Sequence, residues 1–90
     1  MKKNNIFTFN FARNEVKRWF NDNYYVSVYD TDDNNIMSFE KIEDLPYFFN
    51  QPLNAIIRIL RNNWSIEYYG HKVNLYVYKK ENEKVIKKRN

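Results

Sequence analysis

The chain opens on an alternation of apolar and polar positions: Ile6, Phe7, Thr8, Phe9, Asn10, Phe11. Period two is the mark of a half-buried strand, so "IFTFNF" predicts an edge strand. The period then changes. Ala12, Val16, Trp19 and Phe20 recur at i, i+4, i+7 and i+8, one stripe of a helix. Asn10 is placed to cap that helix, and Asn21, Asp22 and Asn23 to end it. Tyr24, Val26 and Val28 next alternate with Tyr25, Ser27 and Tyr29, and a further strand follows the polar stretch after Tyr29. "EDLPYFFN" predicts a short helical or irregular connection. Pro52 suits a first helical position with Asn50 or Gln51 as its cap, and Leu53, Ile56, Ile57 and Leu60 form the buried stripe, leaving Arg58 and Arg61 outward. Trp64, Ile66 and Tyr68 then alternate with Ser65, Glu67 and Tyr69. "YGHK" is a turn using the only glycine, and "VNLYVYKK" the return strand.

Residues 14–30 lie over residues 54–70, with Asn14, Arg18, Asn23 and Tyr29 matching Asn54, Arg58, Asn63 and Tyr69. Both stretches pass from helical to alternating period, which reads as a weak αββ internal repeat. The expected fold is α+β, in the order β-α-β-β-α-β-β. It is an antiparallel sheet of four to five strands with two helices packed on one face, and residues 1–90 form a single domain. Tyr24, Val26, Val28, Trp64, Ile66 and Tyr68 are expected to face the core. Burial of Trp19, Ile56, Leu60, Trp64 and Leu75 should contribute roughly 1.5–3 kcal/mol each.

Composition narrows the class. Apolar residues make up 43% of the 90 and aromatics 19%, enough to build a core and exclude disorder over most of the length. Without cysteine there is no disulfide framework, thiolate zinc site or cysteine nucleophile. No apolar run approaches the roughly 18 residues needed to span a bilayer, and Thr8 and Asn10 interrupt any signal-peptide core. The expectation is a cytoplasmic protein with no membrane partner. Asn, Lys, Ile, Tyr and Phe dominate while Gly occurs once, a profile of A/T-rich coding. In that composition, though in no motif, the chain looks like accessory products of phages and mobile elements in low-G+C bacteria.

The net charge of +4 conceals a division. Residues 1–18 hold five basic groups against Glu15, and residues 71–90 hold seven against Glu81 and Glu83. Between them, residues 29–44 carry six carboxylates against Lys41. The chain has basic ends and an acidic middle.

Candidate chemistry is sparse. Asp30, Asp32 and Asn34 alternate as a calcium loop begins, yet an EF-hand started at Asp30 would put Asn35 in place of its glycine and Lys41 in place of its bidentate glutamate. The segment reads instead as a turn in which Asp and Asn bond their own backbone. His71 stands alone in the turn, Ser27, Ser38 and Ser65 have no neighbouring base in sequence, and one glycine cannot build a phosphate-cradling loop. Glu81, Glu83 and Lys84 fall in a charged tail. No catalysis, metal or cofactor is expected.

The remaining chemistry belongs to binding. Tyr25, Tyr29, Tyr69, Tyr76 and Tyr78 are expected on the sheet face away from the helices, where tyrosines serve as protein-interface anchors or as platforms for bases. Lys79, Lys80, Lys87, Lys88 and Arg89 of the basic C-terminal tail, residues 79–90, join them as candidate contacts. The expected function is a small non-enzymatic protein that docks on and inhibits a host nucleoprotein machine, of the anti-CRISPR or anti-defence type. The alternative is non-specific nucleic-acid binding through a basic, tyrosine-rich face. A third reading is a homodimer paired through "IFTFNF".

Overall fold

The computed structural model describes residues 5–80. In chain order it has a 3₁₀ turn (Asn5–Thr8), α1 (Asn14–Asn23), β1 (Tyr24–Tyr29), β2 (Asn35–Phe39), α2 (Asp44–Phe49), α3 (Leu53–Asn62), β3 (Ser65–Tyr68) and β4 (His71–Lys79). The four strands form one antiparallel sheet in the order β2-β1-β4-β3. This is the expected α+β class.

Alternation decides which face is covered. Val26 and Val28 of β1 lie beside Val77 and Leu75 of β4, and Ile66 of β3 beside Val73. All are buried or half-buried, and they form one cluster with Phe20 of α1, Leu45 and Phe49 of α2, and Ile56, Ile57 and Leu60 of α3. The helices therefore share one side of the sheet. α3 supplies the cleanest stripe, Ile56, Ile57 and Leu60 at i, i+1 and i+4. It ends where Asn63 turns left-handed (φ 58°) and the Trp64 N–H reaches the Ile59 carbonyl at 3.0 Å.

Several expectations need correction. "IFTFNF" is no strand. Phe7 and Phe11 are buried while Phe9, which an alternating strand would set on the same face, is exposed, so period two fails and the spacing i, i+4 of Phe7 and Phe11 remains. Both rings pack 5.7 Å from Phe20 and 5.4 Å from each other, a cluster beside α3, with Phe7 in the 3₁₀ turn and Phe11 just beyond it. Pairing through an "IFTFNF" edge strand falls with it. Pro52 is the N-cap of α3, and Asn50 is the left-handed C-cap of α2, the short helix formed by the predicted connection.

Trp64 does not face the core. It lies between α3 and β3, 51% exposed, and Trp19 is 37% exposed, so neither contributes the burial expected of it. Nor is the internal repeat confirmed. β1 is central, with partners on both sides, whereas its counterpart β3 lies at an edge.

Candidate functional site

The sheet face away from the helices is built from β1 and β4. Their register sets Tyr25 opposite Tyr78 and Ser27 opposite Tyr76, while Tyr29 pairs with Asn74. The Tyr25 and Tyr78 rings stack, 5.5 Å apart and 28° from parallel. Tyr29 and Tyr76 meet edge to face at 5.4 Å. The Tyr78 hydroxyl donates to that of Tyr29 at 3.3 Å, joining the two pairs into one group of four. Two extended strands place these rings without help from any helix.

The centre of the face is polar. Ser27 of β1 and Ser38 of β2 share a hydrogen bond of 2.7 Å between their hydroxyls. Ser27 is only 4% exposed although no helix covers this side; Tyr76 stands opposite it on β4. Tyr76 and Tyr78 nevertheless keep 42% and 39% of their surface in solvent. The phenol of Tyr78 is pushed up to about 12 by its hydrogen bond to Tyr29, by partial burial, and by the nearby phenols of Tyr29, Tyr25 and Tyr76. Tyr78 stays neutral throughout the physiological range.

Charge is scarce here. Among the described residues the alternation brings Lys72 and Glu67 to this side, as direct cross-strand neighbours of opposite sign. The surface is thus hydroxyl-rich, aromatic and close to neutral.

Of the expected contacts, Tyr25, Tyr29, Tyr76 and Tyr78 are brought together. Tyr69 is not among them. It occupies the β3–β4 turn at φ 52°, 84% exposed, with its ring against Tyr68 and beside a hollow bordered by Asp30, Asp32 and His71. Lys79 pairs with Tyr24 and so alternates to the helix side. Lys80 is half-buried and held: its Nζ donates to the Asn21 carbonyl at 2.6 Å and lies 3.0 Å from Glu40 Oε1. Lys87, Lys88 and Arg89, with most of the 79–90 tail, lie outside the described residues. Sequence reasoning missed Ser27, Ser38 and Asn74. Their signal was their place between tyrosines at period two, but only strand register shows that they meet.

The acidic segment is the expected turn. Asp30 Oδ1 accepts the N–H groups of Asp32 and Asn34, each at 2.9 Å, and Oδ2 accepts the Asn34 amide at 3.2 Å. These bonds, the Asn34 backbone bond foremost, hold the Asp30 carboxyl below its ordinary value. Among the described residues no group of three His, Asp or Glu side chains could hold a metal ion, and no helix is long and apolar enough to cross a membrane. Neither a family model, nor a curated protein, nor a solved structure matches the chain.

Proposed function

We propose that the chain is a non-enzymatic binding module of the cytoplasm that docks on another protein through the uncovered tyrosine face of its sheet. The observation that carries this reading is the quartet Tyr25, Tyr29, Tyr76 and Tyr78, coupled by stacking and a hydroxyl bond yet left without a helix above it. Rings held by their neighbours lose little side-chain freedom on binding, while their hydroxyls stay available. A near-neutral face with one lysine against one glutamate suits a protein surface better than a phosphate backbone, which rewards clustered cations. The coding bias adds the finer part of the proposal: the partner is a component of a host nucleoprotein machine, and docking inhibits it.

The test is a pull-down from bacterial lysate with and without nuclease, using the native chain and Tyr76→Arg. A protein retained after nuclease by the native chain, and bound about 2 kcal/mol more weakly by the variant, supports the reading. Retention that vanishes with nuclease, together with affinity for single strands falling as roughly the −0.7 power of salt per neutralised phosphate, replaces it with nucleic-acid binding.

A further inference from the structure

On the helix side a second surface has a different character. Between the segment around residues 7–12 and α3 lies a cleft of about 340 Å³, at the small end of the roughly 300–1,000 Å³ typical of ligand sites. Its floor is apolar, made by Phe7, Phe11, Leu53 and Ile57, and Phe9 rises as one wall. Phe9 is 54% exposed and meets Trp19 edge to face at 5.4 Å, so the apolar surface continues onto α1.

The rim is cationic. Arg58 and Arg61 line the cleft from one side of α3, three residues apart, and no carboxylate lines it with them. Among the described residues neither guanidinium has an ion-pair partner. The nearest lining acid, Glu15 in the adjoining hollow under Phe9 and Trp19, is bonded to Arg13. Arg61 also complements the C-terminal end of the α3 dipole, but Arg58, one turn earlier, has no such role.

We propose that this cleft receives an acidic peptide segment of a partner: one apolar side chain inserted between Phe9 and Ile57, with flanking carboxylates on Arg58 and Arg61. Planar guanidinium forks match carboxylate geometry, and an aliphatic floor needs no hydrogen bonds from what fills it. A nucleotide would match the rim, but the floor of Phe7, Phe11 and Ile57 offers its base edges no hydrogen bond. Thr8, Asn10 and Asn54 are the uncharged polar groups of the lining, and the oligothymidylate arm of the test decides between the two occupants. The site lies on the opposite side of the sheet from the tyrosine quartet and does not depend on it.

The experiment titrates the full-length chain into a short labelled peptide in which glutamates flank a single leucine, reading anisotropy. Saturable binding that weakens with salt, falls roughly tenfold in Arg58→Glu/Arg61→Glu, and is unchanged in Tyr76→Arg bears the proposal out. Should the double reversal lose its native circular dichroism, Arg58→Ala at an exposed helix position carries the same comparison, with an expected loss of about threefold. The proposal is overturned by absence of saturable binding, by equal binding to the charge-reversed chain, by equal binding of a lysine-flanked leucine peptide, or by an oligothymidylate that competes and binds more tightly.

Discussion

Tyr69 is the residue whose conformation has least excuse in its own chemistry. Among the described residues, Asp33, Asn50 and Asn63 also adopt positive φ, and asparagine and aspartate tolerate that region through local hydrogen bonding. A chain with one glycine uses them where others use glycine. Tyr69 and Gly70 (φ 78°) together make a type I′ hairpin turn, for which Asn-Gly is the favoured pair. Tyr69→Asn is therefore expected to raise stability by about 0.5–1 kcal/mol, measured as a higher urea midpoint at unchanged slope. No gain would mean that the contact with Tyr68 offsets the strain.

A second prediction at this scale concerns Tyr78. Its folded pKa is raised, so the stabilisation is complete below the ordinary tyrosine value of about 10 and is lost as pH climbs toward about 12. Tyr78→Phe should flatten the alkaline fall of stability across that window and lower stability below it, where the hydroxyl bond to Tyr29 is fully formed. An identical alkaline profile in the variant would show that the hydroxyl bond to Tyr29 does not persist in solution.

Among elements, the end of α1 is fastened by one residue. Asn21 accepts the Ile42 N–H at 2.8 Å and donates to Glu43 at 2.7 Å, while its carbonyl takes the Lys80 ammonium at 2.6 Å. It thereby ties α1 to the segment after β2 and to the end of β4. Burial raises the Glu43 carboxyl, but the Asn21 bond and the charges of Lys41 and Lys17 leave it below its ordinary value. Asn21→Ala leaves the part-buried Ile42 N–H unmatched and is expected to cost about 1–3 kcal/mol by thermal or urea unfolding.

Helix stripes and core registers explain why much of the fold could be read from residues. Leu53, Ile56, Ile57 and Leu60 admit one period, and Val26 and Val28 one orientation. The N-terminal segment could not be read because Phe7 and Phe11 satisfy both a strand and a turn, and only packing on Phe20 separates them. Trp64 looked buried because it continues the alternation of Ile66 and Tyr68, but the α3 cap uses its backbone before the strand begins. Accordingly Ile56→Ala should cost about 2–5 kcal/mol, whereas Trp64→Ser, at a half-exposed position, should cost less, about 1–2 kcal/mol. Similar losses at the two positions would place Trp64 in the core after all.

For the whole molecule, the sheet separates two environments. One side holds three helices, the aromatic cluster of Phe7, Phe11 and Phe20, and the arginine-rimmed cleft. The other presents four tyrosines around a hydrogen-bonded serine pair. Four of the five tyrosines expected to form a contact surface do lie together, since period-two alternation along β1 and β4 settles their side. Lys80 left that surface because its long stem reaches back to Asn21, a contact formed only once α1 and β4 are side by side.

The proposed function stands on the tyrosine side being where the host protein docks, apart from any peptide held in the arginine-rimmed cleft. It is tested most directly by replacing Tyr76 with a photoreactive phenylalanine analogue and, in a separate chain, replacing Tyr47 of α2 in the same way. Tyr47 is 92% exposed and serves as a control on the helix side. On irradiation in nuclease-treated lysate, a discrete protein adduct should form from position 76 and be missing from position 47. Adducts from position 47 alone, or from neither position, would contradict the account.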